Sequence, residues 1–560
     1  MKDVPARRWR RAGDAVRALL PGPADYRMVP RTWRGDLVAG VTVGIVALPL
    51  ALGFAASAGL PPEAGLVTAI VAGVLAAVFG GSDVQVSGPT GAMVVVLGPI
   101  VATHGAGAVA AVTVMAGALV VAAGALRLGR AVSFIPWPVI EGFTLGIAVI
   151  IFAQQVPFLA SATPAHGAGQ PSNAILAAIH ALMTADASYL AWSAGAVAIA
   201  AILMVVAPRI HPAIPGSLLG ILVVTAITLL IPTPLATIGA LPAAIPMPAL
   251  PALDPATLGS LAPAAVAVAA LAAIESLLSA RVAGSLADTG RFDPDRELIG
   301  QGVASIGAAL VGGMPATGAI ARTAVNVRTG GRSRLAAIVH AGVLAAILLA
   351  AAEPVGRLPM AALAAVLMVT AVRMIHRETV KSILKSTRAD AVAFVLTALV
   401  TVTFDLIIAV LIGVAFAGFV AVRALARSTG VRRETIPAPA HAGDDRIAVM
   451  VIDGPLFFAG SQRVSGELGA VEGVAVVILR MSRIELVDAT GARAISDIVH
   501  AMERRGVTVL LSGIRPGHEE LFRSVGVLSA LRDHRHLFED LDAAVEHARS
   551  HVRRAAQPTA

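Results

Sequence analysis

The chain contains no cysteine, which excludes disulfides and cysteine-ligated metal or redox centres and leaves the compartment open. Charge is scarce too: Asp, Glu, Lys and Arg supply 14% of 560 residues, where a soluble domain carries about a quarter. Two long segments, 157–186 and 232–260, hold no Lys or Arg. Residues 1–34 carry Arg7, Arg8, Arg10, Arg11 and Arg17 but no short apolar core with a small-residue cleavage site, so no removable signal peptide is expected.

What fills the chain is apolar: hydrophobic residues reach 57%, and the mean hydropathy is +0.81. The net charge of +8 and isoelectric point near 10.8 fit basic residues at the ends of membrane spans better than a nucleic-acid surface. Charge is dense before about residue 35, sparse to about 427 and ordinary afterwards. The expected organisation is therefore a basic cytoplasmic segment (1–34), a membrane domain (35–427), a linker (428–445), a small soluble domain (446–549) and a tail (550–560).

With about 20 apolar residues per crossing, spans fall near 36–56, 63–79, 84–103, 107–126, 135–156, 187–207 and 213–231. A second set falls near 261–283, 297–312, 314–329, 334–352, 359–376, 389–404 and 405–425. Seven plus seven crossings put two repeats in opposite orientation. The loop charges agree: with the N-terminus inside, Arg127, Arg130, Arg209 and the basic clusters 281–296, 328–334, 373–388 and 423–433 are cytoplasmic, and Arg357 is the exterior exception. Both termini are expected inside, and the two segments without Lys or Arg outside.

A motif recurs in the two sets, Gly88-Pro89-Thr90-Gly91-Ala92 and Pro315-Ala316-Thr317-Gly318-Ala319, with its threonines 227 residues apart. Unwound backbone at membrane depth is tolerated only where it lines a protected cavity, so paired breaks mark a site between the repeats. The expected local structure is a brief extended piece at 84–87, then a helix whose first turn holds Thr90 to Met93, matched by a helix beginning near Thr317. Inverted repeats would bring the two helix N-termini together, with free N–H groups and positive dipole ends converging on an anion. A single Gly-Pro-Thr-Gly string would be an ordinary kink or close helix crossing; duplication favours binding.

Two charges stand where they are expensive. Arg322, one turn into the tenth span, is placed to hold an anion, against the plainer reading of a salt bridge or a snorkelling side chain. Glu275, mid-span in the eighth, is a candidate for proton exchange with Ser279 on its helical face, or else a fixed counter-ion for Arg322. Glu141 reads as interfacial.

Leu48-Pro49-Leu50-Ala51-Leu52, Gly59-Leu60-Pro61-Pro62-Glu63-Ala64-Gly65-Leu66, Ser87-Gly88-Pro89-Thr90-Gly91, Glu297-Leu298-Ile299-Gly300-Gln301-Gly302 and Pro315 to Thr323 together resemble the sulfate permease (SulP) family of anion transporters, over nearly the whole chain. The resemblance implies an α-helical polytopic membrane protein of fourteen spans, a core domain (crossings 1–4 and 8–11) moving like an elevator past a gate domain (5–7 and 12–14), and a homodimer. It also implies that Phe54 walls the anion site, that backbone at Ser87, Gly88, Pro89, Thr90, Gly91 and Ala92 and at Gly318, Ala319 and Ile320 supplies donors, and that Arg322 is its cation. Glu275 and Ser279 match the coupling-ion position. Many sulfate-type members carry Gln after the first-span proline; Leu50 resembles the bicarbonate-transporting branch. The sodium-coupled form of that branch has Asp where Glu275 stands, and Glu resembles proton-coupled members.

The tail reads as strands at 447–452, 473–479 and 507–511 with an amphipathic helix at 491–504, a small α/β domain. With Val487-Asp488-Ala489-Thr490-Gly491 at a strand-to-helix turn it resembles a STAS domain, joined by a linker containing Pro437 and Pro439. Soluble relatives are phosphorylated at the hydroxyl before that glycine, here Thr490; the plainer and favoured reading is that Thr490 and Asp488 cap the helix. His518, His534 and His536 make no tight metal spacing and read as solvated surface. The expectation is a secondary active transporter of a small oxyanion, bicarbonate or sulfate, in a cytoplasmic (inner) membrane, with lipid as its surroundings, no catalytic residues, no cofactor beyond a coupling proton or sodium, no metal and no nucleic acid. The alternatives are a proton-coupled dicarboxylate carrier and an anion sensor that signals through its STAS domain.

Overall fold

The computed structural model describes residues 21–130, 135–162, 173–211, 215–251, 255–286, 292–404, 406–436 and 441–556. The N-terminal arginines and the linker prolines Pro437 and Pro439 lie outside the described residues. Two compact units divide between Val414 and Ala415.

The first unit is helical. Its helices are α1 (Val29–Ser57), α2 (Pro62–Phe79), α3 (Gly91–His104), α4 (Gly107–Ala125), α5 (Trp137–Ala160), α6 (Ala174–Met183), α7 (Ala187–Ile210) and α8 (Gly216–Leu230). Then come α9 (Pro255–Leu286), α10 (Pro294–Leu310), α11 (Ile320–Arg328), α12 (Arg334–Gly356), α13 (Met360–Met374), α14 (Arg377–Lys385) and α15 (Arg388–Thr403), with α16 (Leu406–Ser428) running across the division. Their starts are written in the sequence: Pro62 and Pro294 stand in the first turns of α2 and α10, and Asp293 accepts the N–H groups of Asp295 and Arg296. Among the described residues eight helical stretches are long and apolar enough to cross a membrane, and α3, α6 and α8 are shorter apolar helices.

Helices α1 to α4 pack against α9 to α12, while α5, α7 and α8 pack against α13, and α5 against α15. These are the core and gate groups. The core packs closely because glycines face one another. A Cβ on Gly302 of α10 would lie 2.5 Å from the carbonyl oxygen of Gly117 on α4, and one on Gly117 would lie 2.8 Å from that of Gly302. Several buried charges serve the turns: Glu297 accepts the N–H groups of Gly81 and Ser82 at 2.8 and 3.1 Å, Asp36 those of Arg332 and Ser333, and Arg334 donates to the carbonyls of Ala77 and Gly80 at the end of α2.

Two breaks differ in detail from the expectation. Ser87–Gly88 forms β1 and Thr317–Gly318 forms β2, and the two pair antiparallel, Ser87 opposite Gly318 and Gly88 opposite Thr317. Helix α3 accordingly begins at Gly91 with Thr90 at its N-cap, and α11 at Ile320 rather than near Thr317. Pairing the two breaks satisfies backbone groups that a longer helix would otherwise have to satisfy. Helices α6 and α14 were not expected.

The second unit has a sheet ordered β3 (Gly430–Glu434), β4 (Ile447–Leu456), β5 (Val476–Arg480), β7 (Thr508–Ser512), β8 (Leu537–Phe538), with β6 (Ile484–Val487) also beside β4. All pairs are parallel except β3 with β4. Strand β3 lies in the segment expected as linker. Side chains alternate across the sheet: Met450, Ile452, Val477 and Leu479 meet α17 (Ser461–Gly469), α18 (Ala489–Arg504) and α19 (Pro516–Val525), while Val449, Val476, Ile478 and Leu510 meet α20 (Leu541–Ala556). Helix α20 continues into the expected tail. His534 is exposed, but His536 is buried beside His547 and His551, so the solvated-surface expectation fails for it. His518 is half-buried with its ring edge-on to Phe522.

Candidate functional site

The β1–β2 pair sets two helix N-termini side by side, one from each repeat. The first turns of α3 and α11 offer N–H groups with no acceptor in their own helix, and neither is capped by a side chain. Thr90 has a capping residue's position and an extended backbone, yet its hydroxyl donates to Glu275 Oε2 at 2.8 Å. Ala319, at the N-cap of α11, has nothing to cap with. Both positive ends stay available.

Glu275 comes from α9 and meets both motifs. Thr317 Oγ1 lies 2.9 Å from the same carboxylate oxygen and 3.1 Å from Thr90 Oγ1. One hydroxyl has one proton, so Thr317 serves either the carboxylate or Thr90 at any moment. Next along α9, Ser276 Oγ accepts the N–H of Gly318 at 3.1 Å, while Ser279 Oγ lies 3.5 Å from Thr323 Oγ1 on α11.

Arg322 is buried, 2% exposed, and donates from Nη2 to the carbonyl of Pro89 at 2.5 Å. Its Nη1 is buried without a hydrogen-bond partner. No ion pair joins Arg322 to Glu275 among the described residues. Pro89 stands just before Thr90, the N-cap of α3, outside the helix. Gly88, at φ +153°, takes a backbone form that favours glycine, and a Cβ there would lie 2.7 Å from Arg322 Nη1. The missing side chain is the space in which the guanidinium sits.

Ala92, Glu275 and Ile320 line a cavity of about 60 Å³, closed on the gate side by Phe143 and Ile147 of α5 and by Met374. That is several times the room one water requires. Phe54 is buried in α1, and its ring would lie 3.3 Å from a Cβ on Gly91. A larger groove of about 350 Å³ between α7 and α8, lined by Trp192, Val224 and Thr233, holds no ionisable group. Chemistry, not size, favours the smaller cavity.

The structure thus gathers Ser87, Gly88, Pro89, Thr90, Gly318, Glu275 and Arg322 at one place, with Gly91, Ala92, Ala319 and Ile320 at the helix starts. It adds Thr317 and Ser276, which the sequence reading left out of the site. Thr317 could have been found because it stands where Thr90 stands in the repeated motif. Gln301 was visible only as part of a motif; its Nε2 donates to Ser87 Oγ at 2.6 Å and supports β1 from α10. In the second unit Asp488 caps α18, accepting the N–H of Gly491 at 2.7 Å, while Thr490 is exposed and caps nothing.

Comparison with known proteins agrees with this architecture. Residues 33–397 match the model of the sulfate permease family, and residues 438–544 that of the STAS domain. A putative sulfate transporter of Bacillus subtilis, YvdB, is 33% identical over 90% of this chain and 96% of its own length. The bicarbonate transporter BicA of Picosynechococcus is 28% identical over 84% of this chain and 86% of its own. The solved transmembrane domain of a cyanobacterial BicA is similar at a TM-score of 0.58 and 28% identity, over 69% of this chain and 98% of that one. The structure of SLC26A9 shares the fold at a TM-score of 0.82 and 18% identity, over 99% of this chain and 96% of that one. With this match over most of its membrane unit, the chain belongs to the sulfate permease family: a multi-pass membrane protein of an anion-transporting family with a STAS domain after its helices.

Proposed function

We propose that the protein is a secondary active transporter of a small inorganic oxyanion, bicarbonate or sulfate, that works as a homodimer by an elevator-like movement of its core against its gate. The observation that carries this reading is the meeting of two uncapped helix N-termini across β1 and β2 beside the unpartnered Nη1 of Arg322. An anion there would meet backbone donors from both repeats and one charged donor. Coupling falls to Glu275: a carboxylate already holding hydroxyls from both motifs is a site for a proton or a sodium ion, loaded next to the anion. Asp488 and Thr490 would make any regulatory contact of the STAS domain, with Thr490 exposed at a helix start where a phosphate would be favoured.

The experiment is uptake of labelled bicarbonate, sulfate and a dicarboxylate into proteoliposomes, with proton and sodium gradients imposed separately. Saturable uptake of an inorganic oxyanion supports the reading. Preference for the dicarboxylate would reassign the cargo, and anion binding without uptake would make the protein a sensor.

A further inference from the structure

Outside the membrane site, the second unit gathers three histidines that no anion-transport step uses. His547 and His551 are one turn apart on α20, with their Nε2 atoms 3.2 Å apart. His536 comes from the 3₁₀ turn His534–His536 just before β8; its side chain is buried, and its Nδ1 has no hydrogen-bond partner. One ligand atom from each of the three lies within 4.8 Å of the other two.

We propose that His536, His547 and His551 form a three-histidine site for a divalent transition metal of the zinc class, with a water in the remaining position. The ligand chemistry suits it: imidazole nitrogens bind zinc at about 2.0–2.1 Å in tetrahedral geometry, which sets neighbouring nitrogens roughly 3.3 Å apart. The His547–His551 edge already has that length. Bringing His536 to the same spacing needs a side-chain adjustment of roughly 1.5 Å, given the present spread. Without a metal the short edge is an imidazole–imidazole hydrogen bond; with one, the proton on Nε2 moves to the other ring nitrogen and both lone pairs face the ion.

The surroundings keep the ligands neutral, the form that binds. Burial holds all three imidazoles below their ordinary value, and Arg554 beside His547 and His551 and Arg532 beside His536 and His551 act in the same direction. Glu503 and Asp533 face His536, and Asp533 also faces His547; both acids oppose that effect and lower the charge of the loaded site. The scaffold is firm, since Ala544, Val545, Ala548 and Val552 seat α20 on the sheet between and beside the two helical ligands. A metal here would fasten α20 to the turn before β8, a strand of two residues that holds one edge of the sheet.

The test uses the full-length protein in detergent, purified without a polyhistidine tag and stripped with a chelator. Equilibrium dialysis against zinc, followed by elemental analysis, should give about one ion per chain. Cobalt in its place should give the intense visible bands of a tetrahedral site. His547→Gln and His551→Gln should each weaken zinc binding at least about tenfold, while His534→Gln, which removes the exposed neighbour, should leave it unchanged. Stoichiometric zinc retained by His547→Gln, or a wild type that takes up no zinc or gives only the weak cobalt spectrum of an octahedral ion, would overturn the proposal. The cobalt spectrum needs no variant, so a misfolded substitution cannot hide the answer.

Discussion

Arg322 decides most at the scale of single residues. If its Nη1 holds the anion, Arg322→Ala removes a charge-assisted hydrogen bond, about 1.5–3 kcal/mol, so the apparent affinity in uptake assays should fall about 10- to 100-fold. Were its whole role to hold the carbonyl of Pro89, the same change would lower thermal stability and leave the half-saturating concentration where it was. The residue was legible in the sequence because a charge in an apolar span is conspicuous. The same holds for Glu275 and for the Gly-Pro breaks. What could not be read was who meets whom. Thr317 and Ser276 act through contacts with residues 42 positions away, and Thr90 with one 185 away, and the packing of α9 against the two paired breaks is what brings them together. Thr490 was misread for a similar reason: either hydroxyl or carboxylate could cap α18 by sequence, and only backbone geometry selects Asp488.

Among the elements, most membrane helices begin and end near their expected bounds, since apolar runs with Pro, Asp or Gly at their ends leave little choice. Helix α6 escaped because its ten residues are too short for a crossing, although Asn173, which accepts the N–H groups of Ile175 and Leu176, is a start signal that could have revealed it. Helix α14 was hidden in a stretch read only for its basic residues. How helices pack is less legible than where they run: nothing in the sequence of α4 says that Gly117 faces Gly302. That crossing is a point of high sensitivity. Gly302→Val must push α4 and α10 apart or move backbone, a loss of about 1–3 kcal/mol or more, read as a lower melting temperature and poorer yield in detergent. In the soluble unit, Asp444 is tied to Arg549 of α20 at 2.8 and 2.9 Å, and the guanidinium holds its carboxyl down from 3.8 to about 2. A carboxyl depressed in the folded state adds stability above its unfolded value, and that stability disappears as pH falls from near 4 towards 2. Melting temperatures of Asp444→Asn should therefore lie below wild type at neutral pH and converge with it at acid pH.

At the scale of the whole molecule, two units in one chain raise the question of what the second does for the first. A truncation placed before Gly430 keeps β3 from being left as an unpaired edge strand, and the protein so shortened should still insert while losing dimer yield or uptake rate. A fully active monomer in native-like lipid would remove the dimer from the mechanism. In the proposed transport cycle the coupling step falls to Glu275, the one acid among the described residues that holds hydroxyls from both repeat motifs. An anion loaded together with a cation crosses the membrane with less net charge than the anion alone, so coupling at this position makes a low-dielectric passage easier. If the cation is a proton, uptake into proteoliposomes should accelerate when the outside is made acidic, without sodium. Glu275→Gln should then still exchange anion across the membrane but no longer respond to the proton gradient, because its amide cannot take up and release the coupling charge. Uptake that instead follows sodium at constant pH, and survives only with a carboxylate at 275, would make the same oxygen cluster of Glu275, Thr90 and Thr317 a sodium site.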